Sequence, residues 1–153
     1  MKPKTLMLIL TISVSLLYSC KTPEKGISQN NVTKAVPEIT DKRWKLIEIN
    51  GVKVSYTDPS QTEAFIILDS KSLRISGNGG CNTLNGGFEL KEGNRITISK
   101  LAVTMMYCPA MNIESQLTKI LEEADNYSIS GNILSINKAR MAPLARFEEE
   151  KLK

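Results

Sequence analysis

Three cysteines, six methionines and the stretch Gly77-Asn78-Gly79-Gly80-Cys81-Asn82 carry what reactive chemistry this sequence offers. The chain has 153 residues and no His. That absence removes the Ser-His-Asp triad, the Cys-His dyad and every His-ligated zinc site. Serines and threonines therefore lack the usual base, and the carboxylates are patterned for a surface. No residue set nominates a catalytic group or a cofactor. The glycine-rich stretch, with Gly86 and Gly87 after it, could cradle a phosphate only if a helix followed it. Gly86-Gly87-Phe88-Glu89-Leu90 reads instead as a strand. A turn or bulge that uses positive φ is the better reading. Cys81 and Cys108 form an even pair once Cys20 is set aside. In an oxidising compartment such a pair argues for a disulfide, worth about 3 kcal/mol by chain entropy. The alternative is two buried free thiols. Met105, Met106, Cys108 and Met111 form a sulfur cluster that could take Cu(I). The plainer reading is that these methionines fill a gap in the core.

The elements that must position these residues are mostly short strands. Residues 44–49 end at Asn50-Gly51, a hairpin signal. Residues 52–61 read as a loop with a turn at Asp58-Pro59. Residues 64–68, 73–76, 88–90, 96–98, 101–106, 127–130, 134–137 and 144–147 are further strand candidates. One segment follows a helical period. Ile113, Leu117, Ile120, Leu121 and Ala124 fall on one stripe, with Asn112 as the expected N-cap and Glu114 placing charge in the first turn. The pattern predicts a mainly β fold: a small antiparallel β-barrel-like domain of about eight strands with one amphipathic α-helix.

The first residues read as an address. Lys2 and Lys4 precede an apolar run over residues 6–17. As a helix that run would reach about 18 Å, short of the hydrocarbon core. A cleaved signal fits it better than a membrane span. Leu17-Tyr18-Ser19-Cys20 resembles a bacterial lipobox, which implies lipidation of Cys20 and attachment to a membrane. Removing residues 1–19 takes two of the 20 basic residues and none of the 16 acids, so the net charge of +4 falls to +2. No basic block exists to support nucleic-acid binding. The expected organisation is a signal at 1–19, a lipidated flexible tether at 20–42, a folded domain at 43–148 and a frayed tail at 149–153. The tether would span about 25 Å.

Taken together, Trp44-x-Leu46 with Gly51, then Gly77-x-x-Gly80-Cys81-Asn82-x-x-x-Gly86-x-Phe88, then Thr104-Met105-Met106-Tyr107-Cys108, then the helix, Leu134-x-Ile136 and Phe147 resemble the META/HslJ family. The resemblance spans residues 43–147. Leu68, Phe88 and Tyr107 depart from the residues common at those places. The resemblance implies a small antiparallel β domain with one helix, often carried by envelope lipoproteins associated with heat shock or antibiotic tolerance. It implies no molecular activity. Two functional classes follow. One is a non-catalytic envelope stress or maintenance protein that binds an unidentified protein partner, lipid-anchored and facing the periplasm, on the outer membrane in preference to the inner. The other is an inhibitor of a periplasmic hydrolase, a lysozyme or a protease, with residues 52–61 as the loop that would enter a cleft. A third expectation, a small apolar ligand inside the barrel, is opposed by the number of large apolar residues available to fill it.

Overall fold

The computed structural model describes residues 38–57, 61–108 and 111–151. The expected signal, Cys20, the tether as far as residue 37 and the Asp58-Pro59 turn lie outside those residues. Among the described residues, nine strands and one helix follow in order: β1 (Arg43–Ile49), β2 (Val52–Lys53), β3 (Phe65–Asp69), β4 (Arg74–Asn78), β5 (Thr83–Lys91), β6 (Arg95–Val103), α1 (Met111–Glu123), β7 (Asn126–Ser130), β8 (Ile133–Asn137) and β9 (Ala145–Glu150).

Every pairing is antiparallel, and β1 pairs with β9 as well as with β3. Eight strands therefore close into a ring, with β2 added to β1 as a short hairpin arm. The ring is not a strict barrel. Strands β6 and β7 share one register pair, Arg95 with Asn126. Helix α1 packs beside this weak seam, against β6 and β1. Strand alternation sends Trp44, Leu46, Ile66, Leu68, Ile75, Leu84, Ile96, Leu134 and Phe147 inward, each essentially without solvent contact. Leu117, Ile120 and Leu121 of α1 join the same core. These side chains fill the interior of the ring, which is the opposite of what an internal ligand would need.

Two turns use the geometry their residues allow. Asn50 and Gly51 both have positive φ, 49° and 80°, as a tight two-residue hairpin requires. At Gly77 a Cβ would lie 2.0 Å from the Phe65 carbonyl oxygen, so only glycine lets β4 approach β3 there.

Several expectations are corrected. The domain starts before residue 43. Ile39 is fully buried, and the Trp44 indole Nε1–H donates to its carbonyl at 2.8 Å, which draws the end of the expected tether into the core. The tail is not frayed at its start. Strand β9 runs to Glu150, where Glu149 pairs with Lys42 and Glu150 with Arg43. Part of the 52–61 loop is the arm β2. The candidates at 96–98 and 101–106 are largely one strand, interrupted by a register shift opposite Asn85 and Gly87 and by Lys100 at φ 53°. Helix α1 already includes Met111, so Asn112 sits inside the first turn and accepts a bond from Gln116 at 2.8 Å instead of capping.

Candidate functional site: an amide network beneath an apolar ledge

The turn between β4 and β5 holds most of the residues singled out by the sequence. Asn78 organises it: its Oδ1 accepts from Gly80 N at 2.7 Å and its Nδ2 donates to the Cys81 carbonyl at 3.3 Å. Gly80 has φ 109°, a conformation that suits glycine. A strand, not a helix, follows, so the turn lacks the helix N-terminus that would face a phosphate. Cys81 is bonded to Cys108 with Cα atoms 6.1 Å apart. The pair is thus a disulfide rather than two free thiols, and Cys108 is not a thiolate for copper.

Asn82 is the centre of the arrangement and is fully buried. Its carboxamide behaves as one more rung of the β5–β6 ladder. Oδ1 accepts from Met106 N at 2.8 Å, and Nδ2 donates to Met106 O at 3.0 Å. Oδ1 also accepts from the Thr104 hydroxyl at 2.8 Å, and Thr104 Oγ1 in turn accepts from Thr83 N at 3.2 Å. The second Nδ2 proton goes to Glu114 Oε1 at 2.9 Å, while Asn82 N–H donates to Glu114 Oε2 at 2.6 Å. Both carboxylate oxygens of Glu114 are therefore engaged, and the residue is only 6% exposed. Gly79 makes room for it, because a Cβ there would sit 2.6 Å from Glu114 Cγ.

Glu114 does more than the first-turn charge that its position predicts. It does stand in the first turn of α1, as the sequence predicts, but its side chain is turned into the core rather than serving only the helix dipole. Positions 114, 117 and 121 share a helix face, and the other two are leucines. A carboxylate on the buried stripe was the available signal.

The network holds residues 104–108 beside the ring without burying their side chains. Met105 is 98% exposed, Tyr107 90% and Met106 60%. Neither Met105 nor Met106 fills a core gap. With Met111, they form an apolar ledge along a groove of about 570 Å³. Helix α1 supplies the other wall through Ser115, Thr118, Lys119 and Glu122. Gly86 lies away from the ledge, where a Cβ would meet Ser99 O at 3.0 Å across the β5–β6 irregularity. Gly77 acts in the β3–β4 contact described above. Gly80, Cys81, Asn82, Thr104, Met105 and Cys108 are brought together; Gly77 and Gly86 serve the strands around them.

The loop proposed for a hydrolase cleft is anchored inward at its aromatic residue. Tyr56 O–H donates to Leu46 O at 3.0 Å and accepts from Ala64 N at 3.2 Å. Burial pushes its phenol up to about 12, against the opposing effect of the Ala64 bond.

A sequence profile described as the META domain matches residues 37–151. No curated protein sequence matches the chain. Three solved structures resemble it. An NMR structure of a protein is 22% identical at a TM-score of 0.58, covering 74% of this chain and 93% of its own. An NMR structure of a protein from Burkholderia xenovorans is 19% identical at 0.60, covering 78% and 88%. A crystal structure of a DUF4847 family protein from Bacteroides vulgatus is 12% identical at 0.52, covering 76% and 97%. At these identities the likeness is one of fold.

Proposed function

The chain belongs to the META domain family, and from that premise we propose that it is a lipid-anchored protein of the bacterial cell envelope that acts by binding a protein partner rather than by catalysis. Cys20 is the lipidated residue, the domain faces the periplasm from the outer membrane, and the role is envelope stress response or maintenance. One observation carries the binding reading. A segment with four polar or covalent attachments holds Met105 and Tyr107 almost wholly in solvent. Large apolar side chains held out in a contiguous patch mark interaction surfaces. The buried carboxylate offers no competing catalytic reading, because Asn82 occupies both its oxygens.

Two measurements test this in cells. An alkyne-tagged fatty acid is expected to label the wild type and not Cys20→Ser; equal labelling of both would end the anchoring reading. A photo-crosslinking residue at Tyr107 is expected to give a discrete protein adduct that the same residue at exposed Leu73 does not give. No adduct at Tyr107 would end the binding reading.

A further inference from the structure

The backbone under the ledge says more about the partner than the side chains do. Thr104 N donates to Thr83 O at 3.1 Å, and Met106 uses both its N–H and its C=O on Asn82. In an extended chain alternate residues aim their peptide groups to the same side. Val103 and Met105 consequently aim theirs away from β5, toward the groove. Val103 stands opposite Leu84 in the register, which agrees with this phase. The Met105 N–H and C=O meet no partner among the described residues. Beyond the single pair at Arg95, no strand among the described residues covers this side of β6. Exposed strand edges are ordinarily blunted by charge, proline or a covering element. Here the edge carries Met105 and Tyr107 instead, and α1 stands off from it by the width of the groove.

We infer that the groove between residues 103–107 and α1 takes an extended polypeptide segment as an added strand. This rests on the binding reading above and names the chemistry of its partner. The added strand pairs its backbone with Val103 and Met105, the mode in which main-chain bonds supply affinity and alternate side chains supply selectivity. Methionines suit such a surface because they repack around different side chains. Charge selects further. Lys119 lies 4.0 Å from Glu123, whereas Glu122, on the groove wall, has no ion pair among the described residues. Counting Glu114, Lys119 and Glu122, the groove is net negative. The segment it fits is apolar at alternate positions and bears a Lys or Arg opposite Glu122.

The test uses the intact chain, isotope-labelled and in detergent, with ten-residue peptides of alternating Val and Thr carrying Lys, Glu or Ser at one end. The Lys peptide is expected to slow hydrogen exchange at the Val103 and Met105 amides and to bind about tenfold tighter than the Glu peptide. N-methylating the peptide residues that face the edge removes at least two main-chain bonds and should weaken binding by about tenfold or more. Met105→Pro deletes the outward N–H and leaves the bonds of Met106 to Asn82 in place. It is expected to abolish peptide binding, while Met105→Ala keeps it within about threefold. The N-methyl series decides the matter even if the proline variant is less stable. Absence of binding by every peptide, or unchanged binding after N-methylation, overturns strand addition, as does protection of Met105 by self-association without peptide. The in-cell adduct at Tyr107 separates the two readings. If it persists in Met105→Pro, a partner docks on side chains and only the strand inference falls.

Discussion

Replacing the Asn82 carboxamide with a carboxylate perturbs one atom and should be among the most destabilising conservative changes in the domain. Asn82→Asp turns a double donor into an acceptor. Met106 O loses its partner, and two carboxylate oxygens face each other where Nδ2 and Glu114 Oε1 now stand 2.9 Å apart. Asn82→Ala sets the baseline: it removes four side-chain bonds to oxygen and nitrogen partners and a weaker one from Nδ2 to Cys81 Sγ. At about 1 kcal/mol net each, the loss is about 3–4 kcal/mol. In the Asp variant the pair must hold a proton at neutral pH. For a carboxyl that titrates near 4, that costs up to about 4 kcal/mol at pH 7, less whatever the shared proton returns as a strong bond. The sign follows. The folded variant binds its proton more tightly than the unfolded chain does, so the folded pKa is raised. The penalty is therefore small below about pH 4 and grows as pH rises toward neutrality. Urea unfolding followed by Trp44, the only tryptophan and fully buried, is the assay. At pH 7 Asn82→Asp should fall below Asn82→Ala, and by pH 4 the gap should close or reverse. Adding Glu114→Gln to Asn82→Asp restores a donor and should recover about 1–3 kcal/mol through coupling. A cost below about 1 kcal/mol for Asn82→Ala, or a gap between the variants that does not change with pH, would refute the account of the network.

Three further outcomes are expected. Replacing both Cys81 and Cys108 with Ser opens a crosslink between residues 27 apart and should lower stability by about 3.5 kcal/mol, read as a lower urea midpoint. Gly77→Ala drives a Cβ against the Phe65 carbonyl and should cost about 3 kcal/mol or more by breaking β3–β4 pairing, seen as faster amide exchange in those strands. Tyr56 is half-buried as the neutral phenol, so the unfolded chain ionises first. Its contribution holds below about pH 10 and declines as pH rises from there toward 12; Tyr56→Phe should remove that slope from an alkaline unfolding series.

The ring and its helix were legible because alternation and helical period are local signals. Trp44 and Leu46, Leu134 and Ile136, and the 113–124 stripe each report their buried face directly. What the sequence obscured depends on contacts between distant segments. Glu114 looks like a helix-dipole residue until Asn82, thirty-two positions earlier, takes both its oxygens. Residues 149 and 150 look like a charged tail until Lys42, just before β1, and Arg43, its first residue, lie beside them. The glycines were visible as a motif, but their separate reasons were not. Gly77 answers to a carbonyl on β3, Gly79 to Glu114, and Gly80 to its own backbone. The methionines misled for a related reason. Composition alone assigns an apolar run to the core, and only the anchoring of its backbone shows otherwise.

That anchoring gives the ledge its meaning. An apolar segment normally keeps its place by burying side chains, and its exposed residues are incidental. Residues 104–108 keep their place through a hydroxyl, a carboxamide, a ladder bond and a disulfide. Their large side chains are released from any structural duty. Met105 at 98% exposure contributes almost no burial, so Met105→Ala should leave the unfolding midpoint unchanged. A core-packing role for Met105 requires the opposite, a loss of about 2 kcal/mol or more. An unchanged midpoint with the Tyr107 adduct retained would show that the side chain bears no structural load while the backbone beneath it carries recognition. A lower midpoint would return it to the core and remove the main support for the ledge as a binding surface.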